Sequence, residues 1–130
     1  MSATDARTPP AVEPAIKAVA MPADTNPRGD IFGGWLLSQM DIAGGIVAGE
    51  AAQGRIATVA IDAMTFRQPV LVGDVISVYG LVERIGRTSI RVRVEAWARR
   101  YLTAQDDLVT EGVFTYVAID EGRKPRVIAG

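Results

Sequence analysis

The sequence predicts an α+β domain in which a curved antiparallel sheet of about five strands wraps one long, buried helix. Three observations carry this expectation. Residues 26–54 read as a glycine-bearing turn feeding a helix that is apolar almost all the way round, and a helix without a polar face must be covered on most sides. After Gly54 the hydrophobic period shifts from 3.6 to 2 and stays there through four further segments. Those segments are joined by short connections, which makes them antiparallel neighbours.

At 130 residues the chain has room for one core. Hydrophobic residues make up 48% of it, enough that some apolar surface is expected to be buried between subunits. Lys and Arg number 14 and Asp and Glu 15, a balance that argues against a nucleic-acid footprint over the whole protein. Histidine and cysteine are both absent. Thiol nucleophiles, imidazole bases, disulfides and the usual zinc and haem ligands are removed together, and neither a metal nor a cofactor is expected. No basic-then-apolar segment resembles a signal peptide, and no apolar run is long enough to cross a bilayer uninterrupted. A cytoplasmic protein without membrane contact is expected.

In order, residues 1–15 are polar, carry Pro9, Pro10 and Pro14, and read as a flexible tail. Residues 16–21 form a short strand closed by Pro22. Residues 23–30 are a loop, with turn chemistry at Asn26-Pro27 and at Arg28-Gly29-Asp30, and Asp30 is placed to cap the helix. The remaining strands run over 56–66, 75–85, 88–101 and 108–119. The clearest alternation is Ile90, Val92, Val94, Ala96 and Ala98 on one face against Arg91, Arg93, Glu95, Trp97 and Arg99 on the other. A charged, proline-containing tail from Asp120 is expected to fray. The domain is thus expected over 16–120, with tails at 1–15 and 121–130.

One carboxylate, Asp41, lies in the middle of the apolar helix. An unpaired buried carboxylate is costly or gives up its charge, so the fold must supply donors or Asp41 must line a cleft. On a helical wheel Leu36, Met40, Ala43 and Val47 form a large apolar stripe, while the Asp41 side carries Ser38, Gly45 and Ala48, with Gly44 and Gly49 nearby. Three glycines inside a helix cost about 1 kcal/mol each relative to Ala, so a close approach by another backbone or a ligand is expected. Plain packing accounts for the glycines alone; a carboxylate on the same face turns the reading toward a cleft.

Asn26 stands 15 residues before Asp41. An amide and a carboxylate together orient and deprotonate a water or polarise a carbonyl, although Asn-Pro is also ordinary turn chemistry. Gly33 and Gly34 open the helix, where free N–H groups receive an oxyanion or simply mark a flexible start. Gly86, Arg87, Thr88 and Ser89 join two strands with backbone donors, two hydroxyls and a guanidinium suited to phosphate, and Arg84, Arg91 and Arg93 are close in sequence. A plain hairpin with a solvated basic face fits the same residues. Ser38 has no activating histidine and no nucleophile elbow.

Asn26-x-x-Gly29-x-x-Phe32-Gly33-Gly34 with Asp41 behind it resembles the signature of hot-dog fold acyl-CoA thioester hydrolases, and in particular the bacterial YciA-like short-chain enzymes. The likeness runs on through Val59-Ala60-Ile61-Asp62, Phe66, Pro69, Val72-Gly73-Asp74, residues 86–90 and Val113-Phe114, and covers roughly residues 16–120. The resemblance implies a hot-dog dimer with a continuous sheet, often assembled further into a hexamer as a trimer of dimers, with active sites at the dimer interface. It implies that Asp41 acts as general base or nucleophile on a thioester and that Asn26 comes from the partner subunit to position water or substrate. N–H groups near Gly33 and Gly34 would polarise the thioester carbonyl. Arg67 and the turn of Gly86, Arg87, Thr88 and Ser89 would hold the phosphates of coenzyme A, which enters only as part of substrate and product.

A non-catalytic acyl-CoA binding or sensing protein of the same fold is the alternative, and it is disfavoured because the 15-residue tail is too short for an output domain. Hot-dog dehydratases and hydratases normally use a histidine, which this chain lacks. Trp35 and Met64 are candidates for bounding an acyl tunnel.

Overall fold

Strands β1 (Ile16–Val19) and β2 (Ile56–Phe66) flank the helix α1 (Gly33–Ala52) in sequence, yet they lie on opposite edges of one sheet. The helix therefore crosses the sheet from edge to edge. The computed structural model describes residues 7–128 and adds β3 (Val75–Ile85), β4 (Ser89–Arg99) and β5 (Asp106–Ala118), in the spatial order β1-β3-β4-β5-β2. Every pairing is antiparallel. The helix touches all five strands, which requires the sheet to curve around it. This is the hot-dog arrangement. Among the described residues, no helix is long and apolar enough to cross a membrane.

The core follows the period-2 pattern. Ile90, Val92, Val94, Ala96 and Ala98 of β4 are all fully buried, and they form one cluster with Ile76 and Val78 of β3 and with Phe114, Tyr116 and Ala118 of β5. The helix meets that cluster with Leu36, Met40, Ala43, Ala48 and Ala52. Gly44 is buried as well, so the buried face of α1 takes in part of its small-residue side along with the large apolar stripe.

Three expectations are corrected. Asp30 does not cap the helix: α1 starts at Gly33 behind Phe32, with no side-chain cap. Asp30 is instead drawn into the preceding loop, where the Asn26 N–H donates to its carbonyl (2.7 Å) and its own N–H donates to Asn26 Oδ1 (3.2 Å). The C-terminal segment is not frayed through residue 128. It folds back so that Arg126 N–H reaches the Ala118 carbonyl and Ile128 N–H the Arg87 carbonyl, both at 2.9 Å, while Arg126 Nη2 donates to the Ala52 carbonyl at the end of α1. That cation neutralises the negative end of the helix. At the other terminus, the segment before β1 is tied to the sheet at both of its ends: Arg7 pairs with Glu111 and the Ala15 N–H donates to the Val78 carbonyl. Residues 1–6 of the expected tail fall outside the described residues.

The outer face is consequently not a plain solvated surface. Glu95 and Trp97 on it are buried; Trp97 Nε1 donates to Glu95 (3.0 Å), Arg93 pairs with the same carboxylate (2.8 Å), and Tyr79, Trp97 and Leu108 form a small second cluster.

The loop between β2 and β3 is held by one guanidinium. Arg100 donates to Asp74, to Asp107 (2.9 Å), to the Pro69 carbonyl (3.0 Å) and to Gln68 (3.3 Å). Asp74 also accepts from the Leu71 N–H (2.8 Å), which closes a turn whose third residue, Gly73, has φ 93°. That value strains any residue with a Cβ. The Val72-Gly73-Asp74 motif is thus a clamp that fixes residues 67–70 beside the start of α1.

Candidate active site

Asp41 is half-buried on the flank of α1 that faces β2 and β5. Its Oδ1 accepts a hydrogen bond from Thr58 Oγ1 of β2 at 2.8 Å. The Tyr116 hydroxyl of β5 lies 2.9 Å from the Asp41 carbonyl oxygen and 3.2 Å from the same Oδ1. Among the described residues no cation pairs with this carboxylate and no group donates to Oδ2. Burial first, then the charge and hydrogen bonding of Asp41, push the Tyr116 phenol well above its usual range, so it remains a donor. A carboxylate held by neutral donors on one oxygen, with the other open, is equipped to take a proton or attack an electrophile.

The helix start contributes a second element. Phe32 provides no side-chain cap, and the N–H groups of Gly33, Gly34 and Trp35 have no carbonyl to bond within the helix. Gly33 adjoins a cavity of about 370 Å³ lined by apolar Ile31, Phe32, Leu36, Phe66 and Val70, with Arg67 at its wall. Hydrogen bonds from Arg7, opposed by partial burial and reinforced by Arg67, bring the Glu111 carboxyl down to about 2. Arg67 is thereby anchored through Glu111, at 2.6 Å.

The predicted residues divide into separate groups within one protomer. Asn26 organises its own loop: Oδ1 accepts from the Arg28 N–H (2.9 Å) and the Asp30 N–H, and its amide nitrogen donates to nothing among the described residues. Asp41 lies eight residues into α1, about 12 Å along the axis from Gly33. No hydrogen bond joins the Asn26 and Asp41 side chains. Gly33 and Arg67 do come together at the N-terminal end of the helix. Gly86, Arg87, Thr88 and Ser89 form the β3–β4 hairpin at the opposite end, where Thr88 and Arg87 accept backbone bonds from Ala118 and Ile128. Arg84 and Arg87 have no ion-pair partner among the described residues, whereas Arg91 and Arg93 are paired with Glu83 and Glu95. Ser38 donates to the Trp35 carbonyl as an ordinary helical serine. Trp35 and Met64 pack against the main core and do not line the cavity at the helix start.

Thr58 and Tyr116 were not among the candidates. Their signal is present in the alternation: Tyr116 is an inward position of β5, between Phe114 and Ala118, and its hydroxyl needs a partner on the small-residue side of the helix.

The family model for the thioesterase superfamily matches residues 28–103. YciA of Salmonella typhimurium, an acyl-CoA thioester hydrolase, is 48% identical over 120 residues that span 90% of each chain. The chain belongs to this family. Among solved structures, the hexameric thioesterase y2039 of Yersinia pestis is 50% identical with a TM-score of 0.88, over 93% of this chain and 98% of that one. An acyl-CoA hydrolase of Staphylococcus aureus has been solved as separate asparagine-to-alanine and aspartate-to-alanine variants. These are each 27% identical, with TM-scores of 0.82 and 0.80, covering 88% of this chain and 69% and 71% of those. The two replaced residues stand 15 positions apart, the separation of Asn26 and Asp41 in this thioesterase-family chain.

Proposed function

We propose that the protein hydrolyses acyl-CoA thioesters to the free carboxylic acid and coenzyme A, with Asp41 as the catalytic carboxylate. The observation that carries this is the state of Asp41: half-buried, paired with no cation among the described residues, and held by neutral hydroxyls on one oxygen. In the general-base route, Oδ2 takes a proton from water as the water oxygen bonds to the thioester carbon. The oxyanion then collapses, the C–S bond breaks, and the proton passes from Asp41 to the departing thiolate. In the nucleophilic route Oδ2 bonds to the carbonyl carbon, and the C–S bond breaks to expel coenzyme A as the thiolate. Water then opens the resulting mixed anhydride to the free acid and the Asp41 carboxylate, its released proton going to the thiolate; this route uses the same geometry.

The active unit is a dimer. Strand β2 is a sheet edge of 11 residues that exposes Val59, Ile61 and Phe66, while Ile42 and Ile46 are exposed on the helix. A long apolar edge left open is a hazard that pairing with a second copy removes. Antiparallel pairing of β2 with its copy continues the sheet and sets the start of one helix against the far end of the other. About 12 Å of helix separates Asp41 from Gly33 of its own chain, so the oxyanion donors facing Asp41 are those of the partner's Gly33 and Gly34, accompanied by the partner's Asn26. The same symmetry carries Arg67 of one protomer toward the turn of Gly86, Arg87, Thr88 and Ser89 of the other, and these residues hold the phosphates of coenzyme A. Three such dimers form a hexamer; the Yersinia pestis relative is hexameric.

The test is a panel of acyl-CoAs from acetyl to palmitoyl, with released thiol followed by a chromogenic disulfide in the presence of a chelator. Turnover of at least one member is expected. Saturable acyl-CoA binding with no thiol release over hours would replace this reading by the non-catalytic binding protein.

A further inference from the structure

Asp41 has two hydroxyl donors, and the one from β5 comes with a construction built around it. Tyr116 is fully buried and stacks on Phe114, with ring centroids 6.4 Å apart and planes 14° from parallel. Its hydroxyl passes against the helix at Gly44. A Cβ at that position would overlap the hydroxyl and stand 3.1 Å from both Tyr116 Cζ and Val94 Cγ2. A side chain at 44 would thus shut the phenol out of the helix flank. The buried glycine that helix propensity disfavours is what admits it.

Ring packing alone needs no hydroxyl here. The Asp41 carbonyl lies in mid-helix, where the N–H four residues on serves it already. The hydroxyl has one proton and two acceptors within reach, the Asp41 carbonyl at 2.9 Å and the Asp41 carboxylate oxygen at 3.2 Å.

We infer that Tyr116 is a positioning residue for Asp41, its proton directed to Oδ1 while the carboxylate is charged and to the Asp41 carbonyl once Oδ2 has taken a proton from water. This deepens the hydrolase reading and rests on it. Thr58 and Tyr116 together occupy Oδ1, so only Oδ2 is open to the reacting water or carbonyl. Switching the Tyr116 proton needs rotation about one C–O bond and no movement of heavy atoms. In neither state is the buried hydroxyl left without an acceptor, so the charge on Asp41 can come and go without stranding a polar group. The phenol transfers no proton itself, in keeping with the upward shift that burial and Asp41 impose on it.

Tyr116→Phe keeps the ring and removes only the donor. Its kcat is expected to fall about ten-fold, the loss of one hydrogen bond to a charged group. KM should stay within about two-fold, because the residue acts on the carboxylate and not on coenzyme A. The factor should be the same for every acyl chain the wild type accepts. Gly44→Ala keeps the phenol but denies it the helix, and the same kcat-weighted loss is expected in protein that still melts cooperatively. Wild-type kcat in Tyr116→Phe would overturn the inference, as would a loss expressed mainly in KM or one that differs between acyl chains. Wild-type protein and Asp41→Asn run alongside separate the two levels. Active wild type, inert Asp41→Asn and fully active Tyr116→Phe sink this inference alone. A wild type that releases no thiol from any acyl-CoA sinks the hydrolase reading and this inference with it.

Discussion

Asp41 and Asp74 are both aspartates within the matched signature, and both accept two hydrogen bonds, yet they are built for opposite ends. Asp74 is 2% exposed, and its carboxylate meets the Arg100 guanidinium and the Leu71 N–H. A cation at contact distance consumes the charge, and Arg100 spends its remaining donors on Asp107, Gln68 and the Pro69 carbonyl. Among the described residues Asp41 meets no cation and two neutral hydroxyls from different strands. The difference teaches how to tell a structural carboxylate from a reactive one: the charge of the donors matters more than their number. A guanidinium neutralises the anion and fixes it in place, whereas hydroxyls orient it without cancelling its charge.

The largest expected effect breaks the comparison at Asp41. Asp41→Asn preserves shape and can still accept from Thr58 and Tyr116, so folding and assembly should be retained while kcat falls by about 10³-fold or more. Thiol release and size-exclusion chromatography on the same preparation check both halves. Substantial turnover in that variant would remove Asp41 from the chemistry.

At the other pole, Arg100→Met leaves Asp74 buried without its cation. Urea unfolding is expected to show a loss of about 3 kcal/mol, in line with the removal of one partner of a buried ion pair. The kcat per folded molecule should be nearly unchanged. A stable variant with damaged kcat would mean that the clamp belongs to the chemistry after all.

Thr58→Val sharpens the claim about neutral donors. One hydroxyl is lost from Oδ1, and about a ten-fold drop in kcat with little change in melting temperature is expected.

The smallest effect concerns Glu111, a carboxylate of the structural kind on a more open surface. Arg7, and with it Arg67, hold it at about 2 against an ordinary 4.5. A lowered carboxyl stabilises the fold above its unfolded value and ceases to do so as pH falls through its folded one. Glu111→Gln should therefore melt about 3 °C below the wild type at pH 7. The gap should begin to narrow below about pH 4.5 and close near pH 2. Thermal melts at several pH values read this directly, and a pH-independent gap would contradict it.

Much of the architecture was legible before any coordinates. The ranges 56–66 and 75–85 coincide with β2 and β3, and β4 and β5 differ from expectation only at their ends. Hydrophobic period is a property of neighbouring residues, so it survives in one dimension. Asp30 shows the limit of such local reading. Its type and place suited a helix cap, but a loop centred on Asn26 offered competing partners and took it. The two ends of the chain show the same limit. Polar, proline-rich segments look unattached until Arg7 meets Glu111, and Arg126 meets the end of the helix.

The helix, its strands, the anomaly of one carboxylate among apolar residues and the glycines beside it were determined by the sequence itself, because each is a matter of local order and composition. What relieves that carboxylate was decided only by the tertiary structure. Thr58 is 17 positions from Asp41 and Tyr116 is 75. They meet it because β2 and β5 are neighbours at one edge of the sheet, an order that no local period records. The glycine-rich face was expected to admit a backbone or a ligand. It admits a tyrosine hydroxyl, since only the folded sheet carries an inward side chain of β5 to the helix at Gly44.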